Sequence, residues 1–137
     1  MRGLFLQGGG AKGAFQAGVI YGLYERGLYF EVISGTSIGA INSYFIYASK
    51  LEKLKEVWIN LDFDNMNFEK HRVDNKVIEN KVFLDILEGF QGKDERIKSL
   101  YVNYVKVNDS NLKEVRVDLT ELDKEDRLSA IKYSSLL

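Results

Sequence analysis

Gly35-Thr36-Ser37-Ile38-Gly39 is the stretch on which the reading of this chain turns. It fits the glycine-x-serine-x-glycine pattern that sets a serine on a sharp turn between a strand and a helix. Small flanking residues let the backbone turn tightly, so the hydroxyl of Ser37 is pushed outward. The helix that follows directs its free amides toward that hydroxyl and favours negative charge there. Ser37 is the candidate nucleophile.

A second glycine stretch lies upstream, Gly8-Gly9-Gly10-Ala11-Lys12-Gly13. The short apolar run Gly3–Gln7 reads as a buried strand before it. Ala14–Arg26 reads as a helix after it, with Phe15, Val19 and Leu23 at helical spacing and Gly27 as the stop. Tyr29–Ile33 reads as a second strand leading into the Ser37 turn. A helix then starts near Ile38 with the apolar stripe Ile38, Ile41, Phe45 and Ala48. Strand, glycine loop, helix, strand, glycine turn, helix is the rhythm of an α/β fold with parallel strands. Both glycine segments fall at carboxyl ends of strands, where such sheets place their sites, so Gly8–Gly13 and Ser37 should share one edge.

Further along, Lys50–Leu61 reads as continued helix with Leu51, Leu54, Trp58 and Leu61 facing a core. Asp62–Val77 is polar and irregular, and Lys81–Phe90 reads as a short helix. Leu100–Val107 and Lys113–Thr120 are strand-like and joined as a hairpin by Asn108–Leu112. In the second of these, Val115, Val117 and Leu119 alternate with Glu114, Arg116 and Asp118. Asp123 or a neighbour caps a last helix carrying Leu128, Ile131 and Leu136. Aromatics such as Tyr44, Phe45 and Tyr47 have the spacing of core residues.

The glycine loop fits two chemistries. Gly8, Gly10 and Gly13 have the dinucleotide-binding spacing. That site also needs an acidic residue at the end of the second strand, where Ile33-Ser34-Gly35 stands, and Glu31 comes too early. The alternative is an oxyanion hole, in which successive glycines turn backbone amides toward a carbonyl oxygen that gains charge. Removing one such donor typically costs about 2.7–4 kcal/mol of activation free energy. Lys12 is then an outward-facing loop cation, a lipid-headgroup contact or simply a solvated lysine.

A serine nucleophile needs a base. His71 is the only histidine among 137 residues, and a triad would pair it with Asp62 or Asp64. It sits in a polar stretch with no strand end to fix it, and reads as a surface histidine. Ala40 occupies the place a serine-x-x-lysine pair would need.

The order of the two glycine motifs resembles the patatin-like phospholipases. The resemblance implies a three-layer α/β/α fold with a central, mainly parallel sheet, and a serine–aspartate dyad that hydrolyses lipid acyl esters. Ser37 would be the nucleophile. The loop Gly8, Gly9, Gly10, Ala11, Lys12, Gly13 would form the oxyanion hole, with Gly9, Gly10 and Ala11 supplying amides. Gly35, Thr36, Ile38 and Gly39 would shape the elbow. Arg127–Leu137 is similar to the helical segment that precedes the family's catalytic aspartate. That aspartate lies in an Asp-Gly-Gly or Asp-Gly-Ala turn, and no aspartate here is followed by glycine. None of Asp118, Asp123 or Asp126 takes the role by motif. The expectation is therefore residues 1–137 as one domain, the N-terminal portion of an acyl hydrolase that stops short of its aspartate. A catalytically inactive lipid- or protein-binding module on the same fold is the alternative.

Composition bounds the rest. Hydrophobic residues are 45% and charged residues 28%, as in ordinary globular domains. A net charge of −1 gives no broad attraction to nucleic acid, and contact with a membrane surface would be transient. The chain has no cysteine, so disulfides, thiolate zinc sites and a cysteine nucleophile are excluded, and a lone histidine excludes a multi-histidine metal site. The expected mechanism uses no cofactor and no metal. The N-terminal apolar run is too short for a secretory signal and no segment has the length of a membrane span, which makes a cytoplasmic location the default. The oligomeric state is not written in the sequence.

Overall fold

The computed structural model describes residues 1–61 and 81–136. The whole stretch read as irregular, Asp62–Val77, with Asp62, Asp64 and His71, lies outside the described residues. Four strands, β1 (Gly3–Leu6), β2 (Val32–Thr36), β3 (Ser99–Asn108) and β4 (Asn111–Asp118), form one sheet in the order β1-β2-β3-β4. β1 pairs parallel with β2 from Gly3↔Val32 to Leu6↔Gly35, and β2 pairs parallel with β3 from Val32↔Ser99 to Thr36↔Asn103. β4 closes the sheet antiparallel to β3. The helices are α1 (Gly13–Glu25), α2 (Ile38–Tyr47), α3 (Leu51–Asn60), α4 (Lys81–Glu88) and α5 (Lys124–Ser135). The α/β class and the mainly parallel sheet are those the sequence implies.

The pairing register aligns Leu4, Ile33 and Leu100, and beside them Leu6, Gly35, Val102 and Val117, on one face of the sheet. α2 lies on β2 and α5 on β3 over that face, and α1, α3 and α4 pack onto α2. The opposite face carries the row Phe5, Ser34, Tyr101 and Asp118, in which Phe5 is 67% exposed. Every residue of α2 is buried, so it is the centre of the helical layer rather than an amphipathic cover. Tyr44 and Phe45 are fully buried within it, each contributing about 1.5–3 kcal/mol of apolar burial for a side chain of that class.

α2 can sit this deep because its first turn touches backbone. A Cβ at Gly39 would collide with the carbonyl of Leu6, and one at Gly35 would lie 2.5 Å from the carbonyl oxygen of Gly39. The two glycines of the elbow are thus spacers between helix and sheet as much as turn formers.

Four expectations are corrected. β2 lies three residues later than Tyr29–Ile33, because Ser34, Gly35 and Thr36 take ladder positions between two neighbours. Tyr29 and Phe30 rest instead on the ring of Tyr24, with centroids 5.6 and 6.0 Å apart. In α1 the buried positions are Gly13, Ala17, Ile20 and Tyr24, whereas Phe15 is 80% and Val19 47% exposed. Small residues at 13 and 17 allow the closer approach to α2 and α3. Ser49 adopts a left-handed conformation (φ 58°) and separates α2 from α3, which are not continuous. The hairpin loop is Asp109-Ser110 alone, with Asp109 at φ 53°, and the strands run on to Asn108 and Asn111. Asp123 does cap α5, accepting from the amide of Asp126 at 2.9 Å.

Candidate active site

Ser37 stands between the last residue of β2 and the first of α2 with φ 57° and ψ −123°. This is a costly backbone conformation for a residue with a side chain, of order 1–3 kcal/mol, and it persists only where surroundings impose it. The surroundings are visible. The Ser37 carbonyl accepts from the amides of Ala40 (2.9 Å) and Ile41 (3.3 Å) and so opens α2. The Ser37 amide donates to the hydroxyl of Ser134, at the end of α5, at 2.8 Å. Ser37 is itself half-buried, so its hydroxyl can be reached from solvent.

The structure brings the two glycine segments together. A Cβ on Gly8 would lie 3.0 Å from the Cβ of Ser37 and 3.7 Å from its hydroxyl oxygen. Beyond Gly8 the chain makes a 3-10 turn over Gly10–Lys12, closed by the amide of Lys12 on the carbonyl of Gly9 at 3.1 Å. Gly10 has φ 55°, a left-handed conformation that favours glycine. Among the described residues no backbone carbonyl accepts from the amides of Gly9, Gly10 or Ala11. Lys12 is exposed and its aliphatic stem lies over Gly9. Gly13 begins α1 against Ile38 and Trp58. Thr36 ends β2, and Ile38 and Gly39 are buried in the first turn of α2.

Three polar groups that the sequence reading missed hold this arrangement. Asn42 of α2 is fully buried. Its amide nitrogen donates to the carbonyl of Gly13 (3.1 Å) and to Gln16 Oε1 (2.9 Å). Gln16 Nε2 in turn donates to the carbonyl of Gln7 at 3.1 Å. Asn42 was detectable as a lone amide inside an apolar helix, since a buried polar side chain must find partners. Ser134 carries no local signal, being 97 residues from its partner.

An apolar groove of about 410 Å³ starts at Gly8, Gly9 and Lys12 and runs between the β1 edge and α1, past Leu4, Phe15 and Val19. Among the described residues no carboxylate is hydrogen-bonded to the Ser37 hydroxyl. Asp118 is committed elsewhere, to the amide of Leu100 and to Thr120. Its carboxyl feels an upward pull from burial, but the Thr120 hydroxyl and the amides of Leu100 and Thr120 hold it below the ordinary range. Asp123 accepts from its own helix.

Fold and site together define an α/β protein with a serine elbow set against a glycine loop. The family model described as patatin-like phospholipase matches residues 4–129, and the chain belongs to that family. Its relatives include a lysophospholipase nte1 of Aspergillus terreus, 58% identical over 40 residues, covering 29% of this chain and 3% of that protein. A lysophospholipase nte1 of Aspergillus niger is 58% identical over 38 residues, or 28% of this chain and 2% of that protein. A lysophospholipase NTE1 of Mycosarcoma maydis is 51% identical over 39 residues, again 28% and 2%. The matched segments are thus a small part of the relatives' length. Among the described residues no helix is long and apolar enough to cross a membrane.

Proposed function

We propose that this chain carries the nucleophile and oxyanion loop of a serine acyl hydrolase that cleaves lipid acyl esters, with lysophospholipids as the first class to test. The observation that carries the reading is Ser37, strained at φ 57° and packed against Gly8 at the mouth of the glycine loop. Ser37 Oγ attacks the ester carbonyl. The amides of Gly9, Gly10 and Ala11 receive the oxyanion, and the N-terminus of α2 adds its positive end. An aspartate takes the hydroxyl proton and passes it to the leaving alcohol, and water then releases the fatty acid. That aspartate is neither Asp118 nor Asp123, whose carboxylates accept from other groups. The relatives' names as lysophospholipases and the family membership support lipid as substrate, and a brief contact with a membrane surface fits it.

The test is hydrolysis of a lysophospholipid and of a short-chain p-nitrophenyl ester by the protein and its Ser37→Ala variant. Activity that survives Ser37→Ala sinks the mechanism. A second reading, a non-catalytic module binding a lipid or protein partner, is favoured by one observation: no described carboxylate is hydrogen-bonded to the Ser37 hydroxyl. Saturable binding of lysophospholipid without turnover would select it.

A further inference from the structure

We infer that Asn42 and Gln16 are positioning residues that clamp both ends of the glycine loop to the helix carrying Ser37. This rests on the acyl hydrolase reading and goes beyond it, since neither residue belongs to either motif. The loop spans Gly8–Gly13. The carbonyl just before it, on Gln7, accepts from Gln16, and the carbonyl at its end, on Gly13, accepts from Asn42. The two side chains are joined to each other at 2.9 Å. Both ends of the loop are therefore referred to one point, five residues past the nucleophile on α2.

The direction of every bond in this relay is fixed by chemistry. The Trp58 indole N–H is a donor only, and it meets Asn42 Oδ1 at 2.9 Å. The Asn42 amide must then turn its NH₂ toward Gly13 and Gln16. Gln16 must present its oxygen to Asn42, which leaves its NH₂ for Gln7. Trp58, Asn42, Gln16 and Gln7 thus form a one-way chain from α3 through α2 and α1 to the end of β1. Trp58 and Asn42 are buried and the Gln16–Gln7 bond at the outer end is exposed; a polar chain whose members are all satisfied rigidifies what it touches. What it touches here is the spacing between the loop amides and Ser37, and a misplacement of about 1 Å in such a site can cost about 100-fold in rate.

Asn42→Ala is the obvious variant, but it strips a fully buried hub and removes the oxygen that accepts from the Trp58 indole N–H. Gln16→Glu is the informative one. Gln16 is only half-buried, and the carboxylate still accepts from Asn42 but cannot donate to Gln7. Two measurements are made on the folded variant. Backbone order parameters by NMR for the loop amides are predicted to fall from about 0.85 to below about 0.6, with those of β2 unchanged. Labelling of Ser37 by a fluorophosphonate probe is predicted to slow about 10- to 100-fold at saturating probe, with the half-saturating concentration unchanged. Loop order parameters that stay high in folded Gln16→Glu overturn the clamp. So does a loosened loop that labels at the normal rate. If the wild-type protein does not label at all, the order parameters decide the clamp alone.

Discussion

The backbone amide of Ser37 donates to the hydroxyl of Ser134 at 2.8 Å, across 97 residues of chain. A positive-φ serine needs its flanking peptides held, and this bond holds one of them from α5. It also takes the Ser37 amide out of the set of donors available to a substrate, which leaves that task to the glycine loop. Ser134→Ala leaves a partly buried N–H without this partner, at a cost of about 1 kcal/mol or more. Urea denaturation should show a lower midpoint with an unchanged slope. An unchanged midpoint would mean the bond does not contribute.

The elbow strain itself is measurable. Ser37→Gly releases about 1–3 kcal/mol of backbone strain and gives back about 0.5–1 kcal/mol through the freer unfolded chain. The variant should be more stable by about 1 kcal/mol, whereas Ser37→Ala, which keeps its Cβ at φ 57°, should melt with the wild type. Equal stability of all three would show the turn to be relaxed.

The glycines separate into two kinds. Gly39→Ala drives a Cβ into the Leu6 carbonyl, which must displace α2 from the sheet. Its cost should reach or exceed the top of the 1–3 kcal/mol range roughly typical of overpacked cores. Gly18, in the middle of α1, has nothing within 4 Å of its Cβ position. Gly18→Ala should stabilise by about 0.5–1 kcal/mol through helix propensity. Calorimetric melting of the two variants checks both signs.

Acid stability should depend on Asp94. Its carboxylate is bound by the Arg96 guanidinium at 2.8–3.3 Å, and that pairing outweighs burial and holds the carboxyl below the ordinary range. Arg96 is fixed in turn over the ring of Tyr29 at 3.7 Å, and the Asp94 amide ties the segment to the carbonyl of Tyr47 at 2.7 Å. A depressed folded pKa means the unfolded chain takes up the proton first. The stabilisation is complete above about pH 4 and is lost as pH falls from there through the folded value. Asp94→Asn should be less stable than wild type at pH 7, with the gap closing below about pH 4. Urea midpoints from pH 7 down to pH 3 read this directly, and a gap that does not close would assign the effect to packing.

Much of this was legible in the chain. The alternation of glycine segments with apolar runs gave the parallel strands and put Gly8 beside Ser37. The capping of α5 by Asp123 followed from local chemistry. What failed were readings of which apolar residues face inward. α1 is apolar on most sides, so periodicity alone could not choose between the Phe15–Val19 stripe and the Gly13–Ala17–Ile20 face. The decision came from the small residues, which permit closer helix packing than Phe15 would. β2 was placed early because Ser34, Gly35 and Thr36 do not look like strand residues. They are strand residues because β1 and β3 pair on both sides of them. The contacts that fix the site, Ser37 to Ser134 and Asn42 to Gly13, join residues 97 and 29 positions apart and leave no pattern in a local window.

The proposed chemistry rests on Ser37 as a nucleophile served by the glycine loop. Incubation with a fluorophosphonate probe, followed by peptide mass spectrometry, tests it most directly. One adduct is expected, on Ser37, absent from Ser37→Ala and slowed in Gln16→Glu. A folded protein whose Ser37 stays unmodified while another serine takes the probe would contradict it.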